Sequence, residues 1–252
     1  MHEATIEFQD VSYVVDHHRT LLSSLSLAVH KGEIVMFLGR SGSGKTTLLK
    51  LINGLLQPSR GEVRVQGKPT SEWNLIQLRR HIGYAIQEVG LFPHYTVRQN
   101  VTLVPNLQGW EKERVEARLR ESMRLVGLSL EEFGSRYPHQ LSGGQQQRVG
   151  LARALAADPP ILLMDEPFGA SDPLTRGELQ EEFRLLQKSL GKTVVFVTHD
   201  VSEALLLGDR IALIDGGRLQ GVFTPHEFLN SDIPVAKSYA ESFRAMQKIF
   251  ES

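Results

Sequence analysis

Gly39-Arg40-Ser41-Gly42-Ser43-Gly44-Lys45-Thr46 is the stretch on which the reading of this chain turns. It fits G-x-x-x-x-G-K-[ST] at every fixed position, a match that chance gives a chain of this composition roughly once in a hundred. The apolar run Ile34–Leu38 precedes it and a helical pattern, Thr47–Asn53, follows. In that setting the glycines let the backbone turn tightly, so that successive N–H groups face phosphate oxygens and a helix N-terminus adds its positive end. Lys45 then reaches the β- and γ-phosphates and the Thr46 hydroxyl holds Mg²⁺. A plain strand-to-helix turn explains the glycines but not Lys45-Thr46. Gly39 through Thr47 are therefore the candidate nucleotide ligands.

Outward from this loop the chain reads as α/β. Strand-like segments are short and β-branched: Ile34–Leu38, Ile82–Ile86, Ile161–Met164, Val194–Thr198 and Ile211–Ile214. Continuous apolar runs such as Ile161–Met164 are the habit of parallel strands buried on both faces. Leu179, Phe183, Leu186 and Leu190 mark one helix face, with Asp172 as N-cap, Pro173 at N1 and Gly191 as the stop. Val115, Leu119, Met123 and Val126 mark another. The first 35 residues and Gly61–Val65 look like antiparallel strand material, whereas residues 91 to 145 read as a mainly helical subdomain inserted into the core. The whole chain, 1–252, is read as a single domain with a short helical tail over residues 222–252.

Composition limits the function classes. The 28 Lys and Arg against 29 Asp and Glu give a formal charge of −1, which disfavours a nucleic-acid partner. The chain has no cysteine, so disulfides and thiol catalysis are out. Its longest apolar run, Ile34–Leu38, is far short of the roughly 18 residues of a membrane span. Met1-His2-Glu3 opens no signal peptide, and a soluble intracellular protein is expected.

Two further strings carry chemistry. Ile161–Met164 delivers Asp165-Glu166 at its carboxyl end, where the crevice of a parallel sheet lies. Asp165 suits Mg²⁺, and Glu166, one residue on, suits an attacking water. Leu141-Ser142-Gly143-Gly144-Gln145 opens a second glycine-rich helix N-terminus, over Gln146–Ala156, fit for another anion.

With these residues in hand, the chain resembles the ATP-binding-cassette (ABC) ATPases over nearly its whole length. The phosphate loop is Gly39–Thr46, the signature Leu141–Gln145, the acidic strand Ile161–Glu166 and the D-loop Ala170-Ser171-Asp172, where Ser171 replaces the usual Leu. His199 in Val197-Thr198-His199-Asp200 matches the switch histidine, and Gln87 the Q-loop glutamine. The resemblance implies a P-loop NTPase core with a mainly parallel sheet, an N-terminal antiparallel β-subdomain and a helical subdomain. It also implies a head-to-tail dimer in which Ser142, Gly143, Gly144 and Gln145 of one copy close over ATP held by the other's Lys45. Glu166 would orient the water, His199 would contact the γ-phosphate and Gln87 would join Thr46 and Asp165 around Mg²⁺. The family's adenine-stacking aromatic falls at Val15 here. Tyr13, two residues earlier on the same strand face, is the candidate substitute, with plain packing as its alternative.

The resemblance extends to a subgroup. Gly83–His94, Val104-Pro105-Asn106-Leu107, Ala156–Ala170 and Asp172–Arg176 look like the ATPases of glycine betaine, choline and related quaternary amine importers. This implies transmembrane permease subunits as partners, indirectly an extracytoplasmic solute-binding protein, and a cytoplasmic place against the inner face of the membrane. A permease helix is expected beside Gln87–Asn100, where Leu91, Phe92 and Tyr95 offer apolar contact. A CBS-type regulatory domain, common in these relatives, is not expected after Ser252. The alternatives are another importer or exporter type, a non-transport ABC protein, or a scaffold that binds ATP without hydrolysing it.

Overall fold

Two 12-residue strands, β1 (Ala4–Val15) and β2 (Arg19–His30), begin the chain and pair antiparallel. The fold is described from a computed structural model, which describes residues 4–15, 19–86, 90–169, 176–177, 180–181, 183–184 and 191–251. Gln87, the D-loop and most of the predicted helix after Pro173 lie outside the described residues. The chain divides into two units, Met1–Leu78 with Thr193–Ser252, and Arg79–Lys192.

In the first unit, β4 (Arg60–Val65) adds to the other edge of β1 and the short β5 (Lys68–Pro69) follows, in the order β2-β1-β4-β5. Apolar residues Ile6, Phe8, Val29, Val63 and Val65 are buried along this sheet, and the Phe8 ring meets Phe37 at 6.3 Å. Phe37 belongs to β3 (Ile34–Leu38), buried at every position. β3 runs parallel to both β8 (Thr193–Thr198) and β9 (Arg210–Asp215), and β10 (Arg218–Phe223) closes antiparallel on β9. A strand flanked on both edges and covered on both faces keeps only apolar side chains, because a polar one would lose its water without compensation.

Helix α1 (Lys45–Ile52) leaves the phosphate loop and buries Leu48, Leu49, Leu51 and Ile52. Burying each of these side chains contributes about 1.5–3 kcal/mol, so the loop is anchored by the core beneath it. A half-buried ion pair adds a second tie: Arg210 holds Glu33 at 2.6 Å and donates to the Ala28 carbonyl at 2.6 Å, joining β9 to β2 and the turn before β3.

In the second unit, β6 (Ile82–Ala85) and β7 (Ile161–Asp165) pair in parallel. Helices α2 (Leu75–Arg80, which spans the boundary of the two units), α3 (Val97–Leu107), α4 (Lys112–Leu125), α5 (Leu130–Phe133) and α6 (Gly143–Ala156) make up most of the remainder. α6 lies against β6 at Gly83, where a Cβ would stand 2.3 Å from the Ala154 carbonyl oxygen, so only glycine allows the approach. Arg118 of α4 donates to the Leu155 and Ala156 carbonyls at 2.8 and 3.2 Å, capping the end of α6. Arg148 of α6 returns the tie to the Val126 carbonyl at 2.9 Å.

The predicted strands appear within one residue of their expected ends, and Val115, Leu119 and Met123 form the buried stripe of α4. Phe183 is buried and Gly191 has φ 58°. The tail differs in one respect: Val222 and Phe223 still belong to β10, and the helices begin at α8 (Pro225–Leu229) and continue as α9 (Pro234–Glu251).

Candidate functional site

In the first unit the register of three parallel strands sets the candidate site residues. Leu38 on β3 is level with Thr198 on β8 and with Leu213 on β9. Gly39 and His199, the next residues, therefore leave the sheet side by side at its carboxyl edge, where open α/β sheets bind ligands. A Cβ on Gly39 would stand 2.0 Å from the Ile214 carbonyl oxygen, so the loop begins as close to β9 as backbone permits.

Gly42 and Gly44 take φ of 78° and 99°, which L side chains adopt at a cost. Their surroundings differ. A Cβ on Gly42 would meet nothing within 4 Å, whereas one on Gly44 would stand 2.6 Å from Leu22 Cδ2. Gly42 thus keeps a concave backbone open and Gly44 seats the loop on β2. Lys45 is buried, and its ammonium donates to the Gly39 and Arg40 carbonyls at 2.7 and 2.8 Å, which holds it across the mouth of the loop. Arg40 and Ser41 are exposed, Thr46 and Thr47 half-buried.

The loop fits a polyphosphate on two counts. The Ser43 hydroxyl is buried and has no hydrogen-bond partner among the described residues. Helix α1 starts at Gly44 without a side-chain cap, whereas α7 (Val201–Leu207) is capped by Asp200 and α8 by Thr224. The positive end of α1 accordingly lies at the loop, where an anion is favoured. Thr46 offers a hydroxyl, an oxygen donor of a kind Mg²⁺ takes.

His199 is exposed, between Thr198 and the Asp200 cap. The Thr198 hydroxyl bonds the Glu203 carboxylate and accepts the Asp200 N–H at 2.9 Å, fixing the turn that presents the imidazole. Tyr13, half-buried on β1, is the register partner of Leu22, so both point to one face. Leu22 is also what Gly44 abuts, which sets Tyr13 one strand from the phosphate loop.

In the second unit the candidate residues begin on β7. Asp165 is buried at its end, and the Tyr84 hydroxyl of β6 hydrogen-bonds it. Burial, and next the Asp165 carboxylate, push the Tyr84 phenol well above its ordinary pKa, so it stays protonated and donates. Glu166 has φ 45°, a left-handed conformation that costs a non-glycine residue about 1–3 kcal/mol. Its carbonyl accepts the Gly169 N–H at 3.1 Å, closing the turn that turns the carboxylate out of the strand.

The signature is a helix cap. Ser142 Oγ accepts the Gln145 N–H at 3.2 Å, and Gln145 Oε1 accepts the Ser142 N–H at 2.9 Å. Both side chains are engaged by the cap, leaving the N–H groups of Gly143 and Gly144 as donors of the first turn of α6, with Ser142 and Gly143 exposed.

Sequence reasoning missed Tyr84 and Asn100. The Asn100 side chain, buried on α3, accepts the Phe92 N–H at 2.8 Å and donates to the Phe92, Tyr95 and Thr96 carbonyls at 3.2, 3.1 and 3.0 Å. It fixes a cluster in which the Phe92 and Tyr95 rings lie 5.4 Å apart and His94 and Tyr95 4.6 Å. A polar residue on the buried face of the α3 pattern is the one signal that pointed to it.

A model of the ABC transporter family matches residues 22–169. The glycine betaine/carnitine/choline transport ATP-binding protein OpuCA of Bacillus subtilis is 47% identical over 247 residues, covering 98% of this chain and 64% of that protein. The glycine betaine uptake system ATP-binding protein YehX of Escherichia coli is 50% identical over 214 residues, 85% of this chain and 69% of that one. This chain thus spans less than two thirds of the first relative's length. Among solved structures, the dimeric bacterial ABC transporter cassette MJ0796 is 34% identical with a TM-score of 0.79, covering 87% of this chain and 98% of that one. A post-hydrolysis dimer of the same cassette is bound to ADP and Pi. No helix among the described residues is long and apolar enough to cross a membrane. With a family model matching over half of its length and relatives about 50% identical, this chain belongs to the ABC transporter family.

Proposed function

We propose that this chain is the ATP-hydrolysing subunit of an ABC importer, working as a head-to-tail homodimer against membrane permease subunits and driving uptake of a quaternary amine osmoprotectant. The observation that carries the reading is the 39–46 loop. An uncapped helix start, a glycine cradle with open space above Gly42, a buried unsatisfied Ser43 hydroxyl and the Lys45 ammonium converge on one small volume.

In this reading Lys45 and the loop N–H groups bind the β- and γ-phosphates, and the N–H groups of Gly143 and Gly144 receive the γ-phosphate of ATP held by the partner copy. Mg²⁺, when bound by Thr46, Asp165 and Gln87, supplies neutralisation of phosphate charge. Glu166 accepts a hydrogen bond from the attacking water, and His199 contacts the γ-phosphate. Phosphoryl transfer needs chiefly positioning and charge, so this set suffices. Tyr13 lies against the base.

Residues 91–145 serve as a helical subdomain whose cluster of Phe92, His94 and Tyr95 receives a cytoplasmic helix of the permease. The chain then sits in the cytoplasm against the membrane, without a nucleic-acid partner. The substrate class rests on the relatives' names, since the cassette itself carries no solute site in this scheme.

The test is phosphate release from purified protein with ATP and Mg²⁺, beside the Glu166→Gln variant. Wild type hydrolyses ATP; the variant binds it, turns over at least about 100-fold more slowly and elutes as a dimer. Equal turnover by both removes Glu166 from its role. Uptake of glycine betaine, choline and carnitine by vesicles holding the cassette and its permease tests the solute; transport of none of them rejects the class.

A further inference from the structure

The acidic strand end has a partner that neither the loop motifs nor the relatives' names assign. Tyr84 on β6 is level with Leu163 on the parallel strand β7. Side chains at register partners leave one face together, and Asp165, two residues beyond Leu163, leaves that same face. A tyrosine leaning along its strand spans that diagonal, and its hydroxyl hydrogen-bonds the buried Asp165 carboxylate. Tyr84 is also among the residues lining a 240 Å³ cleft with Arg79, Phe92, Leu103, Val104 and Arg153.

We propose that Tyr84 is the positioning residue for Asp165: its hydroxyl fixes the orientation of the carboxylate that faces the divalent cation. The inference rests on the reading of Asp165 as a cation-facing group. A carboxylate with one oxygen held by a donor presents the other in a single direction, and outer-shell partners of this kind set cation affinity by about 10- to 100-fold. Phenylalanine keeps the packing and removes only the donor.

The test is equilibrium binding of a fluorescent, non-hydrolysable ATP analogue to wild type, Tyr84→Phe, Asp165→Ala and the double variant, titrated with Mg²⁺ and repeated in chelator, with thermal melting alongside. For Tyr84→Phe the expected result is a rise of about 5- to 10-fold in the Mg²⁺ concentration giving half-maximal tightening, with affinity in chelator and melting temperature unchanged. In the Asp165→Ala background the same change should add nothing. An unaltered Mg²⁺ requirement in a folded Tyr84→Phe protein overturns the proposal, as does an equal shift in both backgrounds. If Tyr84→Phe melts early, Tyr84→Met at the same position supplies the donor-free ring replacement, and the same two outcomes apply. Wild-type binding indifferent to Mg²⁺ would instead overturn the reading of Asp165 beneath it.

Discussion

Lys45 Nζ and the Gly39 carbonyl oxygen lie 2.7 Å apart, so the lysine that closes the phosphate loop is hydrogen-bonded to the glycine that opens it. A second bond to the Arg40 carbonyl, 2.8 Å, completes a collar around the turn. Hydrogen bonds from a charged donor contribute about 1.5–3 kcal/mol each. Lys45→Ala should therefore weaken ATP binding by at least about 10- to 100-fold while leaving α1 in place, since Leu48 and Ile52 anchor it. Titration with a fluorescent nucleotide and far-ultraviolet circular dichroism separate the two effects. Unchanged affinity would remove Lys45 from the nucleotide site.

Two glycines three residues apart should respond in opposite ways. Gly39→Ala places a methyl 2.0 Å from backbone oxygen of Ile214, which cannot move without shifting β9. A loss of about 3 kcal/mol or more, or failure to fold, is expected from such overpacking. Gly42→Ala enters open space and meets only the strain of φ 78°, about 1–2 kcal/mol. Its methyl instead occupies the cradle, so this variant should melt within a few degrees of wild type yet bind nucleotide poorly. Full ATP affinity in folded Gly42→Ala would show that the cradle is not where phosphate sits.

Ser142 is both a cap and a member of the signature. Removing its hydroxyl frees the Gln145 N–H it accepts at 3.2 Å, at a cost of about 1 kcal/mol to α6. Ser142→Ala should reduce stability by that amount and, in a Glu166→Gln background, weaken ATP-dependent dimerisation while monomer affinity for ATP holds. Light scattering after size exclusion reads the dimer. A dimer of undiminished strength would leave Ser142 as a cap alone.

Asn100 should matter more than any ring it positions. Asn100→Ala strips four hydrogen bonds and leaves the Phe92 N–H and three carbonyls around a small void. A loss of about 2–3 kcal/mol is expected, read by denaturant unfolding. Phe92→Glu, at a ring 41% exposed, should be nearly neutral in stability and in soluble ATPase activity. In vesicles with the permease, Phe92→Glu should abolish uptake; normal transport would exclude this cluster as the docking surface.

What the linear chain determined is whatever depends on order and neighbours. Gly39–Thr46 specifies its loop because a lysine and a threonine placed directly after a glycine serve few ends besides phosphate. Ile161–Met164 specifies a doubly buried strand because no other surrounding tolerates four apolar side chains in succession. Ser142 and Gln145 stand at the spacing of a reciprocal cap, so even the local shape of the signature was implicit there. What only the tertiary structure decided is register and contact across strands and helices. That Gly39 emerges beside His199 follows from Leu38 pairing with Thr198, and that Tyr84 meets Asp165 follows from its pairing with Leu163. Neither can be read from residues more than 75 positions apart in one sequence, because each pairing is selected by burial of whole strands rather than by the two side chains that end up touching. The left-handed backbone of Glu166 is of the same kind: no residue near it favours that conformation, and the surrounding fold imposes it.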